Sequence, residues 1–241
     1  MSSSSAVDLG LEQVRVQYGS RRAVDDVTLH VGAGEVVAVL GPSGCGKSSL
    51  LRAVAGLEPL ASGAVLLGGS DVAGIPTYRR GVGLMFQDHA LFAHMSVAKN
   101  VAFGLRMARW PKDASAERVS QMLDMVELGD RGDANISELS GGEQQRVALA
   151  RTLAATPRVV LLDEPLGSLD RVLRRDLVTT LKQAFAETAV TVLYVTHDRE
   201  EAFALANRVA VMREGHIEQI GTVAQVQAEP ANDWVADFLR D

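Results

Sequence analysis

The feature that most constrains this chain is the run EVVAVL at 35–40, followed directly by GPSGCGKS at 41–48 and an apolar-periodic segment at 48–55. An unbroken apolar run of strand length has no solvated face. It fits a strand covered on both sides, as in parallel α/β sheets. The glycines break the strand, and the segment after them has helical spacing.

The loop matches G-x-x-x-x-G-K-[ST] with strand before and helix after, the context that pattern requires. Its glycines let backbone N–H groups turn inward toward phosphate oxygens, and the following helix N-terminus adds a favourable dipole. Lys47 is placed to reach β- and γ-phosphates and Ser48 to ligate Mg²⁺. The candidate nucleotide contacts are Gly41, Pro42, Ser43, Gly44, Cys45, Gly46, Lys47, Ser48 and the adjoining Ser49. The plain alternative is a Gly-rich structural turn, which does not account for the lysine and serine. Cys45 is either a small filler or a thiol that a maleimide would modify and ATP would protect.

A second apolar run at 158–162 delivers Asp163 and Glu164 at its C-terminal end. Ligands sit at that end of the strands in parallel α/β sheets. Asp163 suits Mg²⁺, directly or through water, and Glu164 suits a general base for an attacking water. A strand ending in solvated acids is the ordinary alternative; the phosphate loop beside it favours the chemical reading. At 139–146, LSGGEQQR places Glu143 three residues after Ser140, a capping box. The box explains Ser140 and Glu143 but not Gly141 and Gly142. Paired glycines permit close backbone approach to something else, so this is a second helix start suited to phosphate.

LSGGEQQR closely resembles the signature sequence of ABC ATPases, and with the phosphate loop and the acidic strand end all three hallmarks stand in the family's order. The resemblance runs from about Leu11 to Leu239. It implies that Gln87 is the glutamine that senses Mg²⁺ and water, and that His197 is the switch histidine at the γ-phosphate. It implies that Tyr18 stacks on adenine and that Asp170, in Ser168-Leu169-Asp170, crosses a dimer interface. Plain alternatives are a loop hydrogen-bonder for Gln87, a surface or capping residue for His197 and a strand-end aromatic for Tyr18. The resemblance also implies a head-to-tail dimer in which Ser140, Gly141 and Gly142 of one subunit meet the ATP of the other. Such a two-fold interface is isologous.

The implied fold is α/β: a P-loop NTPase core with a mostly parallel sheet, an antiparallel β portion and an inserted helical lobe. Alternating apolar positions at Leu9, Leu11, Val14 and Val16, and at Val24, Val27, Leu29 and Val31, give two half-buried strands. Strands are further expected at 64–67, 158–162, 190–196, 208–212 and 217–220, the last two forming a hairpin. Helices are expected at 97–106, 114–126, 143–154 and 232–239. Residues 1–241 are read as one domain, with 88–156 as the inserted lobe.

With 241 residues, 47% hydrophobic, the chain can bury a sizeable core. A net charge of −6 argues against nucleic acid as a partner and against simple adhesion to anionic lipid. One cysteine permits no intramolecular disulfide and fits a reducing compartment. Met1 to Ser5 lacks the basic and apolar regions of a signal peptide. No apolar run approaches the ~20 residues that span a bilayer.

The stretch from His89 to Leu105 resembles the permease-docking region of importer ATPases of the iron, thiamine, sulfate, polyamine and sugar types. The chain would then sit peripherally at the cytoplasmic face of the membrane. Its expected partners are a transmembrane permease, a second ATPase subunit and an extracytoplasmic solute-binding protein. Longer relatives carry a C-terminal regulatory domain, which an end at Asp241 would omit, and the segment from Pro230 to Trp234 also resembles compatible-solute importers. Exporters with separate membrane subunits share every catalytic motif. ABC ATPases of DNA repair carry long coiled coils, and ribosomal ones two cassettes per chain; neither pattern is in this sequence.

Overall fold

A computed structural model describes residues 6–166 and 171–240. The chain opens with β1 (Leu9–Tyr18), β2 (Arg21–Val31), β3 (Val36–Leu40), α1 (Lys47–Ala55), β4 (Ser62–Leu67), β5 (Ser70–Asp71) and β6 (Val82–Met85). Four helices follow: α2 (Val97–Val101), α3 (Phe103–Met107), α4 (Lys112–Met125) and α5 (Gly141–Ala154). Then come β7 (Val159–Asp163), α6 (Arg171–Thr188), β8 (Thr191–Thr196), α7 (Arg199–Leu205), β9 (Arg208–Arg213), β10 (His216–Thr222), α8 (Val223–Ala228) and α9 (Asp233–Arg240).

The strands form two sheets. One is antiparallel, in the order β2-β1-β4-β5; the other runs β10-β9-β3-β8-β7-β6. From β9 to β6 every neighbouring pair is parallel, and only the β9–β10 hairpin is antiparallel. The apolar strands of the larger sheet are covered on both faces, as their sequence requires. Val36, Ala38 and Leu40 of β3, Val160 and Leu162 of β7, and Val192 and Tyr194 of β8 point into a core shared with α5, α6 and α7. The intervening Val37 and Val39, Val159 and Leu161, and Leu193 and Val195 point the other way, into a core shared with α1 and the antiparallel sheet. The period-two alternation of strand side chains thus splits one sheet between two cores.

Between β6 and β7 the described regular elements are all helical, and α2, α4 and α5 pack on one another. The helix expected over 97–106 is two short helices that share Ala102 as the cap of both. Strand β6 was not evident from sequence. It lies at the sheet edge and contains Gly83, where a Cβ would come within 2.9 Å of Thr152 and 3.2 Å of Pro157. Close packing beneath α5 has replaced an apolar side chain there, which removes the usual strand signal. Helices α6, α7 and α8 are also additions to the sequence reading.

Candidate functional site

Four neighbouring parallel strands, in the order β3-β8-β7-β6, end at one edge of the larger sheet. Each delivers a candidate residue there. From β3 comes the 41–46 loop; from β7, Asp163 and Glu164; from β8, His197; from β6, Gln87. This is the carboxyl end of the strands, where open α/β sheets bind ligands.

The loop is fixed by close approaches only glycine allows. A Cβ on Gly41 would lie 2.2 Å from the Met212 carbonyl, and one on Gly46 would lie 2.0 Å from the Ala23 carbonyl. Gly46 also has φ of 112°, in the left-handed region that other residues avoid. The loop is therefore wedged between β2 and β9, and α1 starts at Lys47 directly behind it. Lys47 is buried, its Nζ donating to the carbonyls of Gly41 at 2.7 Å and Pro42 at 3.0 Å. The ammonium thus lies inside the loop's curl. The guanidinium of Arg21 closes the outer side, donating to Gly44 O at 3.1 Å.

Ser48 Oγ donates to Asp163 Oδ1 at 2.8 Å. Burial pushes the Asp163 carboxyl up from its ordinary value, the Ser48 hydroxyl and nearby cations opposing this and the Glu164 charge adding to it. Glu164 lies between two other candidates: Gln87 Nε2 donates to its Oε2 at 3.2 Å, and His197 Nδ1 is 3.2 Å from its Oε1. Its backbone has φ of 47°, unusual for a residue with a side chain, and its N–H donates to Val195 O at 3.0 Å. Such strain is typically held by surrounding structure at functional positions. Here the neighbouring strand β8 holds it.

Tyr18, Arg21, Ala23, Ser43, Gly44, Gly46, Lys47, Ser48, Ser49, Gln87 and Glu164 line one cleft of about 400 Å³. Tyr18 stands at its rim, 43% exposed, with its hydroxyl 3.5 Å from Ser49 Oγ. His197 reaches Glu164 from an adjoining cavity that it shares with Arg174, Asp198, Arg199 and Glu200. Arg21 and Ala23 are cleft residues that sequence reading missed. They lie just after the β1–β2 turn, where nothing but proximity to Tyr18 marks them.

The cleft suits a nucleotide triphosphate with a small hard cation. Ser48 and Asp163, already one hydrogen bond apart, offer two oxygen donors, and Gln87 sits on the adjoining Glu164. A single carboxylate ligand beside phosphate oxygens is the pattern of Mg²⁺ rather than of an all-protein metal cage. No cluster of three or more His, Cys, Asp or Glu able to hold a metal occurs among the described residues.

Two groups of candidates lie apart from the cleft's side-chain lining. Cys45 is buried at 6% exposure, with its Sγ in the core that packs beneath α1, and burial pushes the thiol up. Burial disfavours the reactive thiolate, so of the two readings of Cys45 the geometry favours the small filler, with its backbone in the loop. Ser140, Gly141 and Gly142 are absent from the lining of the cleft. They form the start of α5, where the expected capping box is present: Glu143 N–H donates to Ser140 Oγ at 3.3 Å and Ser140 N–H to Glu143 Oε2 at 2.9 Å. Nothing lies within 4 Å of where a Cβ on Gly141 would be, so the fold of this chain does not itself demand that glycine. Asp170 lies outside the described residues.

A phosphate loop, an acidic strand end and a mostly parallel sheet behind them define a P-loop nucleoside triphosphatase. Comparison with known proteins narrows the class. The ABC transporter family model matches residues 24–167. The Fe(3+) ions import ATP-binding protein of Streptomyces avermitilis is 54% identical over 231 residues, covering 96% of this chain and 67% of that protein. The spermidine/putrescine import ATP-binding protein of Thermobifida fusca is 47% identical, over 99% of this chain and 63% of that one. The sulfate/thiosulfate import ATP-binding protein of Nocardia farcinica is 48% identical, over 94% and 69%. The chain thus spans about two thirds of the length of these relatives. Among solved structures, the ATP-binding cassette MJ0796, in a dimeric post-hydrolysis state bound to ADP and Pi, superposes with a TM-score of 0.79 at 29% identity, over 89% of this chain and 98% of that one. The chain belongs to the ABC transporter family, as an ATP-binding and ATP-hydrolysing cassette.

Proposed function

We propose that this cassette drives solute import through a separate transmembrane permease, working as a dimer at the cytoplasmic face of the membrane. The reported relatives serve three different solutes, and import is what they share; that shared property is carried to this chain. No described helix is long and apolar enough to cross a membrane; the separate permease is carried over from the import relatives. A solute-binding protein outside the membrane would complete the system.

Within the cleft, Lys47 and the 41–49 backbone and side chains hold the phosphates and Tyr18 stacks on the base. Ser48, Asp163 and Gln87 hold Mg²⁺, which neutralises phosphate charge when bound. Glu164 takes the proton of the attacking water and His197 orients toward the γ-phosphate. The observation that carries this reading is the convergence of Gln87 and His197 on Glu164 from the two strands that flank its own. One carboxylate thereby registers the state of both neighbouring loops.

Ser140, Gly141 and Gly142 meet the partner's nucleotide, and Asp170 crosses the same interface. The open space at Gly141 supports this, since a glycine unneeded within the chain leaves room for a phosphate approaching from outside it. The helices of 88–156 form the lobe that meets the permease.

Purification of the tagged chain from gently solubilised membranes, with mass spectrometry of its companions, tests the assignment. A multi-span permease of importer type is the expected companion. An exporter-type membrane subunit would reverse the direction of transport, and ribosomal or DNA-bound companions without a membrane protein would overturn the proposal.

A further inference from the structure

Behind His197 lies a carboxyl group that the reading above does not use. Glu201, in the first turn of α7, is buried at 3% exposure. It touches both chain neighbours of the histidine. Thr196 Oγ1 donates to Glu201 Oε2 at 2.9 Å, and Glu201 N–H donates to Asp198 Oδ1 at 3.0 Å. The bracket closes on itself, because Asp198 N–H donates to the same Thr196 hydroxyl at 3.0 Å. A third contact anchors it to the sheet: Tyr194 Oη donates to the Glu201 carbonyl at 3.2 Å. His197 is the residue left pointing outward, toward Glu164. The other carboxyl oxygen of Glu201, Oε1, is buried and has no hydrogen-bond partner among the described residues.

We infer that Glu201 is a positioning residue for hydrolysis, holding the Thr196–His197–Asp198 turn so that His197 faces Glu164 and the γ-phosphate, and doing so in its neutral form. The inference rests on the assignment of His197 given above. An ionised carboxylate with one oxygen unpaired in a buried site is costly, whereas a neutral carboxyl is tolerated. The charged groups around it do not rescue the anion. Asp198 caps its own helix and Glu164 faces it from the end of β7; both disfavour ionisation, while Arg174 from α6 and the Thr196 hydroxyl favour it. Strand β3, packed against α7, contributes only the apolar Val36–Leu40. Burial dominates and pushes the Glu201 carboxyl up to about 8. Above that pH the bracket carries a negative charge beside Asp198, and the turn loses the geometry that aims His197.

ATPase activity of the full chain between pH 6 and 9.5 tests this, with kcat and KM measured separately. The wild type should lose kcat about tenfold per pH unit above about 8, as expected for loss of one essential protonated group. Glu201→Gln keeps a neutral hydrogen-bonding group. It should retain wild-type kcat at pH 7, keep KM for ATP within about twofold and abolish the alkaline fall. An unchanged alkaline fall in Glu201→Gln overturns the inference. Thr196→Val gives a second reading if the glutamine variant folds poorly. It removes the hydroxyl that favours ionisation, so the fall should move to higher pH; an unmoved fall again counts against Glu201. His197→Ala separates the two assignments. Inactivity there together with an unaltered profile in Glu201→Gln removes only the role of Glu201, whereas wild-type hydrolysis by His197→Ala removes the histidine assignment and this one with it.

Discussion

Ser48 Oγ donates to Asp163 Oδ1 at 2.8 Å, joining two sequence motifs 115 residues apart by one hydrogen bond. The strand order explains it. β3, which leads into the loop, and β7, which ends at Asp163, each pair with β8, so their carboxyl ends meet. The two oxygens proposed as cation ligands therefore stand side by side because of the strand order.

Asp163→Asn should therefore remove the Mg²⁺ dependence of tight ATP binding and lower hydrolysis by two orders of magnitude or more, roughly the weight of a positioned electrostatic group. Ser48→Ala should do the same to a smaller degree. Isothermal titration with ATP in Mg²⁺ and in EDTA measures it: the wild type should differ between the two conditions, and Asp163→Asn should not. A full Mg²⁺ effect in Asp163→Asn would remove Asp163 from the cation site.

Glu164→Gln should bind ATP with near wild-type affinity but hydrolyse it about 10²–10⁴-fold more slowly, the usual contribution of a general base. Because nucleotide would then persist at the interface, a stable dimer should be seen by size-exclusion chromatography in MgATP and a monomer in MgADP. Wild-type turnover by this variant would mean that another group activates the water.

Much of this was legible in the sequence where a physical rule ties residue type to place. Residues 36–40 and 159–162 read as strands covered on both faces because no position in them is spared for solvent. Ser140 and Glu143 read as a cap because the spacing closes two hydrogen bonds. Less legible was α6, although Leu177, Leu181, Ala184 and Phe185 recur at helical spacing and are buried. Strongly charged surroundings such as Arg174, Arg175 and Asp176 dilute that stripe. Strand β6 was hidden for the opposite reason, since its glycine is demanded by packing. The bonds that Gln87 and His197 make to Glu164 could not be read at all, because they depend on strand order, which no local pattern encodes.

Cys45 carries a prediction that decides between the two readings its sequence leaves open. Its thiol is buried and held protonated by desolvation. Maleimide labelling of the folded protein should be slow at pH 7, should be nearly indifferent to ATP, and should become fast in denaturant. Rapid stoichiometric labelling of the native chain, blocked by ATP, would show instead that the thiol opens toward the cleft.

Glu201 links the histidine turn to global stability, and the sign follows from its raised pKa. In the unfolded chain the carboxyl loses its proton near its ordinary value of 4.5; in the folded protein it keeps the proton up to about 8. Between those limits the folded state binds the extra proton, so stability falls as pH rises, by up to about 1.4 kcal/mol per pH unit from this group alone. Below about 4.5 and above about 8 its contribution is flat. Urea unfolding of the wild type and of Glu201→Gln at pH 5.5, 7 and 8.5 isolates the effect, because every other titrating group is common to both. The stability of the wild type relative to the variant should decline steadily across that series, leaving the glutamine protein the more stable at pH 8.5. Parallel curves would mean that Glu201 ionises as readily in the fold as outside it, and that its unpartnered oxygen finds water in solution.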